Sequence, residues 1–165
     1  MSQQGKSFKQ TIAGQLPQMQ EFLTSLEDSP PQTLDAMAEE ADSKVWQEVE
    51  CLSCSNCCRN MTPQFTPQDV QRLALHFRMS IKMFKEKWLV QNKNGDWVNR
   101  NHPCQFLNVS TNKCSVYAIR PRDCAGFPHL TKKKTTEYIG MHRQNLKFCP
   151  ATFKFVEKLM ERVGL

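Results

Sequence analysis

Four cysteines stand within eight positions of the sequence, in the segment CLSCSNCCRN. They are Cys51, Cys54, Cys57 and Cys58, which gives the pattern C-x-x-C-x-x-C-C. A C-x-x-C step brings two thiolates to one side of a turn, so that both can bind the same ion. Bacterial ferredoxins present three corners of a [4Fe–4S] cluster with this repeated step. The segment is therefore compatible with a disulfide framework, a zinc site or an iron–sulfur cluster.

Four further cysteines follow later in the chain. Three recur every ten residues, and the fourth precedes a proline, as does the remote cluster-binding cysteine of bacterial ferredoxins. They are Cys104, Cys114, Cys124 and Cys149. Eight cysteines divide into two four-cysteine sites, or into one four-cysteine cluster and four further thiols. Spacing alone does not choose between these partitions.

Cys57 and Cys58 are neighbours in the sequence. Adjacent side chains are expected to diverge, which makes it difficult for both thiols to bind one ion. We therefore expect that one of them serves a different site, bridges two metals or stays outside the metal centre.

The start of the chain, MSQQGKSFKQTIAGQLPQMQ, lacks the apolar stretch and the cleavage site of a secretory signal. No run of 18 apolar residues occurs that could cross a membrane. We expect a cytoplasmic protein without membrane contact, in a reducing compartment where clustered cysteines are typical of metal ligands. The predicted cofactor is zinc or iron, as Zn²⁺ or as a [4Fe–4S] cluster.

Charge is divided unevenly along the chain. Residues 1–50 hold nine acidic and three basic side chains, whereas residues 51–165 hold 19 basic and seven acidic ones. A basic body is compatible with nucleic-acid binding. However, metal-bound thiolates and the acidic segment would neutralise part of the excess, and the aromatic residues typical of single-strand binding are not evident. We do not expect nucleic acid as a partner, and a zinc-stabilised nucleic-acid-binding module remains an alternative.

Motifs of the common catalytic sites do not occur in the sequence. It contains no P-loop, no G-x-G-x-x-G, no H-E-x-x-H and no G-x-S-x-G. Thiols in metal-ligand spacing are poor nucleophiles because coordination uses their lone pair. The sequence thus predicts a metal-binding protein and no particular enzyme. An iron–sulfur redox protein, or a maturation partner of another enzyme, is the alternative.

Three segments form an ordered combination: CLSCSNCCRN, then TPQDVQRLA, then CQFLNVSTNKCSVYAIRPRDCAGFP. Together they resemble the bacterial YkgJ-type cysteine-cluster proteins, a family described as chelating zinc or iron. The resemblance runs over residues 50–150. It implies a cytoplasmic metal-binding domain in which all eight cysteines are ligands, and it implies no assigned reaction. The chain departs from the family at Ala125, where an arginine usually follows the cysteine.

Other side chains near the cysteines are candidates for supporting roles. Arg59, Arg120 and Arg122 stand beside cysteines in the sequence, where they could donate hydrogen bonds to sulfur. Histidines could replace a cysteine as ligand; the candidates are His102, His129 and His142.

The elements that must position the cysteines are mostly helices. Thr66 as N-cap with Pro67 and Asp69 predicts a helix start. Ser80 predicts a second start, and Asn94–Gly95 predicts a turn.

The expected fold is mainly α with short irregular β pieces, a small metal-stapled cysteine-cluster domain with an N-terminal helical arm. Residues 1–48 are predicted to form this acidic arm, with its helix interrupted at Gly14 and Pro17, and to be a possible binding site for a protein partner. Residues 49–165 are predicted to form the metal-binding domain.

Overall fold

A computed structural model provides the structure of the chain. It describes residues 3–132 and 134–164, with the side chain of Phe8 and those from Ile12 onward. Helices make up most of this part of the chain, and the strands are two or three residues long. The predicted fold class, mainly α with short irregular β pieces, is therefore confirmed.

The helices and strands follow one another in this order. The helices are α1 (Gln3–Asp28), α2 (Leu34–Glu48), α3 (Cys51–Cys54), α4 (Asn56–Asn60), α5 (Pro67–His76), α6 (Ile81–Trp88), α7 (Arg122–Gly126), α8 (Thr135–Asn145) and α9 (Pro150–Val163). The strands are β1 (Gln64–Phe65), β2 (Leu89–Gln91), β3 (Trp97–Asn99), β4 (Leu107–Asn108) and β5 (Lys113–Cys114). A short 3-10 turn covers Tyr117–Ile119.

The chain folds as two compact units. Unit 1 consists of the residues up to Cys54 and those from Pro128 onward, and unit 2 is Ser55–Phe127. The division into an arm at 1–48 and a domain at 49–165 stays a prediction, and the ends of these ranges at residues 1 and 165 lie outside the described residues. Among the helices described, none combines the length and the apolar character needed to cross a membrane.

In the part of the chain that the structure describes, unit 1 is built from four longer helices and the single turn of α3. Helix α2 packs on α9 and α8, and α1 packs on α8 and α9. The apolar side of α1 is almost fully buried, with Met19, Phe22 and Leu23 at most 4% exposed. Burial of such side chains is the main stabilising contribution that an amphipathic helix makes.

The predicted interruption of the first helix is wrong. Helix α1 continues through both Gly14 and Pro17 without a break. A proline inside a helix removes one backbone hydrogen bond and crowds the preceding turn. Here the helix continues on both sides of Pro17, because Ile12 before it and Phe22 after it are both buried in the core of unit 1.

Unit 2 combines short helices with two small antiparallel sheets. In the first sheet β3 lies between β1 and β2, and in the second β4 pairs with β5. The turn predicted at Asn94–Gly95 is confirmed between β2 and β3. Gly95 has a φ of +82° there, a backbone conformation that is unfavourable for a residue with a side chain. The core is rich in aromatic rings, including Phe77 stacked on Phe106 with centroids 5.6 Å apart.

The helix starts predicted in unit 2 are also confirmed. The Thr66 side chain accepts a hydrogen bond from the Asp69 amide, the Asp69 carboxylate accepts one from the Thr66 amide, and Pro67 is the first helical residue of α5. The Ser80 hydroxyl accepts a hydrogen bond from the Met83 amide at the start of α6. These caps satisfy amides that the first helical turn leaves without partners.

Candidate metal centre

Four thiols of unit 2 come from four separate segments of the chain. Cys58 lies on α4, Cys104 precedes β4, Cys114 ends β5 and Cys124 lies on α7. The Cys104 amide donates a hydrogen bond of 2.8 Å to the carbonyl oxygen of Cys58. The Leu107 amide donates to the carbonyl oxygen of Cys104 at 2.9 Å, and Leu107 pairs with Cys114 across the β4–β5 ladder. The backbone thus brings three of these cysteines together.

Cys124, the fourth thiol, interacts electrostatically with the other three. Burial raises the pKa of Cys104, Cys114 and Cys124, and negative charge on Cys58 raises all three further. Charges on Cys104 and Cys114 also raise the pKa of Cys124. Four thiols that oppose one another's ionisation in this way need a nearby cation before all can be thiolates.

Cys57 is a hydrogen-bond partner of Cys58. The two sulfurs are 4.0 Å apart, so the divergence expected of these neighbouring side chains is wrong. Tetrahedral zinc with Zn–S bonds of about 2.3 Å requires a sulfur–sulfur distance of about 3.8 Å. The hydrogen bond from Cys57 lowers the pKa of Cys58 to about 7, burial opposes this shift, and the positive charge of Arg59 adds to it.

The helix that carries Cys124 is held by two carboxylates. Asp69, which is 1% exposed, accepts hydrogen bonds from the Thr66 amide and hydroxyl, from Arg72 Nη2 at 2.6 Å and from the Arg122 amide at 3.2 Å. Burial would raise the pKa of Asp69, but these donors lower it. Asp123 accepts a bond of 3.0 Å from the Gln64 amide, which ties α7 to β1.

Asp69 and Arg72 together form a clamp on α7, because Arg72 also holds the segment before this helix. Its Nε donates to the Ile119 carbonyl at 3.2 Å, and its Nη2 donates to the Arg120 carbonyl at 3.0 Å. Sequence reasoning identified Asp69 only as a capping residue and missed Arg72. The signal for this clamp lies in contacts between residues about 50 positions apart, which spacing in the sequence does not reveal.

The arginines beside the cysteines have several partners. Arg59 donates to Ser55 Oγ at 3.2 Å and to Asn112 Oδ1 at 2.6 Å, which joins α4 to the β4–β5 turn. Arg120 donates to the Tyr117 carbonyl at 2.7 Å, and its guanidinium lies over the Tyr117 ring. The charge of Arg59 lowers the pKa of Cys58, and that of Arg120 lowers the pKa of Cys114. Both therefore favour thiolates from a distance.

Unit 1 contains three more cysteines. Cys51 and Cys54 are one turn apart on α3, and Cys149 is the N-cap of α9. Burial raises the pKa of Cys149 and charge on Cys54 raises it further, while hydrogen bonds from Thr152 and Ala151 lower it. Cys54 and Cys149 are thus close enough to interact, and the first turn of α9 directs donors at the Cys149 sulfur.

The candidate histidines lie in different surroundings. His102 Nε2 is 2.9 Å from the Thr62 hydroxyl on the exposed side of unit 2. His142 is fully buried in unit 1, its ring nitrogens make no hydrogen bond to a described residue, and burial lowers its pKa to about 4, with a further contribution from the charge of His129. Replacement of a cysteine ligand by one of these histidines stays a prediction.

The donor set of unit 2 fits zinc or iron, since both are bound by thiolates. Within residues 3–132 and 134–164, no three His, Cys, Asp or Glu side chains are already arranged to hold a metal ion. The assignment of the eight cysteines as ligands therefore stays a prediction.

Comparison with known protein families gives one match. A family model described as "CxxCxxCC: Putative zinc- or iron-chelating domain" matches residues 50–149, which is more than half of the chain and contains all eight cysteines. No solved structure matches the fold.

Proposed function

The chain belongs to the CxxCxxCC family, and from that premise we propose that it binds zinc or iron through Cys58, Cys104, Cys114 and Cys124 of unit 2. The observation that carries this proposal is that backbone hydrogen bonds and strand pairing join Cys58, Cys104 and Cys114, which come from three separate segments. Burial and mutual repulsion oppose free thiolates there. A bound cation removes that opposition.

Each residue around the proposed site has a separate task. Cys58, with a pKa of about 7, is the first thiol to ionise and gives an incoming cation its first thiolate. Asp69 and Arg72 hold the segment that leads to Cys124. Arg59 and Arg120 offset part of the negative charge. When bound, the metal supplies a cross-link between four chain segments and, if it is an iron–sulfur cluster, an electron acceptor.

We assign the three cysteines of unit 1 to a second group of ligands. Cys54 and Cys149 interact within unit 1, and Cys51 shares α3 with Cys54. Cys57, which hydrogen-bonds to Cys58, remains a proposed ligand. This division favours two groups of metal-binding thiols. It disfavours the alternative of one four-cysteine cluster with four further thiols.

The test is metal analysis with an ultraviolet–visible spectrum, on protein purified without oxygen. Iron and sulfide with absorbance near about 400 nm identify an iron–sulfur cluster, and colourless protein with zinc identifies a closed thiolate site. Single serine variants of Cys58, Cys104, Cys114 and Cys124 are expected to lose the same metal. Val109→Ser, at an exposed position of unit 2, is the control and should keep it. Metal-free wild-type protein, or full metal content in all four variants, would reject the proposal.

The same samples also distinguish a redox or maturation role from nucleic-acid binding. A visible chromophore that bleaches on reduction favours a cytoplasmic redox or maturation protein. Binding to nucleic acid that weakens steeply with salt favours the nucleic-acid alternative. A protein partner at residues 1–48 must contact the outer sides of α1 and α2, because their inner sides pack on α8 and α9.

A further inference from the structure

Ser55 divides the first cysteine motif between two short helices. Helix α3 ends at Cys54 and α4 begins at Asn56, and Ser55 between them has a φ of +50°. This left-handed conformation is unfavourable for most residues that have a side chain. In an unbroken helix, Cys51, Cys54 and Cys58 would be spaced three and four residues apart and would share one face. The break at Ser55 ends this common face.

The Ser55 hydroxyl is engaged in a contact outside α4. A serine before a helix usually accepts a hydrogen bond from an amide of the first turn, but the Ser55 side chain makes no such bond. Its hydroxyl donates to Asn112 Oδ1 at 3.0 Å and accepts from Arg59 Nε at 3.2 Å. Ser55 is only 5% exposed. A buried contact with Asn112 thus takes the place of the ordinary cap.

Asn112 connects α4 to the segment of Cys114. It lies in the turn between β4 and β5, two residues before Cys114, and has a φ of +58°. Arg59 Nη2 donates to Asn112 Oδ1 at 2.6 Å and to the Val109 carbonyl oxygen at 3.4 Å. The Asn112 oxygen therefore accepts hydrogen bonds from both Ser55 and Arg59. We call the hydrogen bonds among these three side chains the Asn112 contact.

We propose that the Asn112 contact assigns Cys58 to the metal site of unit 2, because it stabilises the break before α4 and fixes α4 beside the segment of Cys114. This inference rests on the proposed function, in which the two cysteines bind the same ion. Ser55, Arg59 and Asn112 are positioning residues, since they act on the metal through the backbone that carries its ligands. Contacts that orient ligands in this way contribute to metal affinity.

The test compares Asn112→Gly, Asn112→Asp and Thr111→Gly with the wild type. Glycine tolerates the left-handed backbone but removes the acceptor, whereas aspartate keeps an acceptor oxygen. Thr111 is exposed in the same turn, so Thr111→Gly controls for the flexibility that glycine adds. Zn²⁺ affinity, measured against a chromophoric chelator, should fall about 10–100-fold in Asn112→Gly. Asn112→Asp and Thr111→Gly should stay close to the wild type.

Two further measurements distinguish positioning from a general loss of stability. In Co²⁺-loaded protein, the sulfur-to-cobalt charge-transfer absorbance should weaken in Asn112→Gly, because fewer thiolates bind the ion. In metal-free protein, exchange of the Arg59 and Met61 amides should accelerate in this variant, since both amides form backbone hydrogen bonds of α4. Amides of α5 should keep their protection.

Arg59→Lys provides a second route if Asn112→Gly fails to fold. It keeps the positive charge beside Cys58 but loses the planar guanidinium that bonds to several acceptors, so smaller changes in the same direction are expected. Unchanged affinity and absorbance in every variant that folds would overturn the inference, as would equal losses in Asn112→Gly and Asn112→Asp. Wild-type protein that binds neither Zn²⁺ nor Co²⁺ would instead overturn the proposed function.

Discussion

The two units of the molecule are stabilised in different ways. Unit 1 has helices of 26, 15, 11 and 14 residues, whose apolar faces pack against each other. The longest helix of unit 2 has 10 residues, and its strands have two or three. Short segments bury little apolar surface each. We therefore expect unit 2 to depend more on specific cross-links between its segments, which the proposed thiolate site would provide.

Asp69 of unit 2 and His142 of unit 1 are buried polar residues that differ in their hydrogen bonds. In unit 2, Asp69 accepts four hydrogen bonds and holds the segment that leads to Cys124. In unit 1, the ring nitrogens of His142 and Nδ2 of Asn145 are buried without a hydrogen bond to a described residue, as is Nδ2 of Asn99 in unit 2. Asp69 thus fixes a loop of unit 2, whereas the ring nitrogens of His142 in unit 1 make no hydrogen bond to a described residue.

Removal of the metal should have the largest effect, and it should affect unit 2 more than unit 1. With a chelator present, amide hydrogen exchange in residues 55–127 should accelerate strongly, because a structural thiolate site contributes on the order of 10–16 kcal/mol of apparent binding free energy. Amides of α1, α2 and α9 should keep most of their protection. Equal loss in both units would contradict the difference proposed between them.

Asp69→Asn should destabilise unit 2 by roughly 2–4 kcal/mol, because it removes a buried charge that several donors share. Urea unfolding of the metal-loaded protein measures this change. Asp96→Asn is the matched control, since the Asp96 carboxylate accepts hydrogen bonds from Asn92 in the neighbouring loop and from Gln64 on the exposed side of the sheet. A loss for Asp69→Asn no larger than for the control would show that the clamp on α7 is unimportant.

His142 should make unit 1 sensitive to mild acid. Its folded pKa of about 4 lies below its ordinary value of 6.5, because burial disfavours the charged ring. Between these values the unfolded chain binds a proton that the folded chain does not, so stability falls as the pH falls. The expected loss between pH 7 and pH 5 is about 2 kcal/mol.

His142→Leu is the matched variant for this pH dependence. It should flatten the decrease without a large loss at pH 7, since the ring nitrogens form no hydrogen bond to a described residue. Thermal unfolding at both pH values is the measurement. A decrease of equal steepness in the variant would assign the acid sensitivity to other groups.

Glu27→Gln should have the smallest effect. Glu27 forms an ion pair of 2.7 Å with Arg143, and both side chains are about one-third exposed or more. Solvent screens such pairs, so the free energy of unfolding should fall by less than about 1 kcal/mol. A loss comparable to that of Asp69→Asn would show that unit 1 also depends on individual polar contacts.

The sequence by itself determined the local features of this protein. The capping box at Thr66 and Asp69, the Ser80 cap and the turn at Asn94–Gly95 follow from residues at most four positions apart, so they could be predicted directly. The cysteine pattern likewise indicated the family and the class of metal. The interruption expected at Pro17 failed, because burial on both sides of the proline outweighs a local preference.

Only the tertiary structure decided which thiols come together and what supports them. Cys58 meets Cys104 through a backbone hydrogen bond that joins distant segments, and Asp69 reaches Arg122 in the same way. Such contacts form when the whole core of unit 2 packs, and no short-range rule of propensity or spacing contains them.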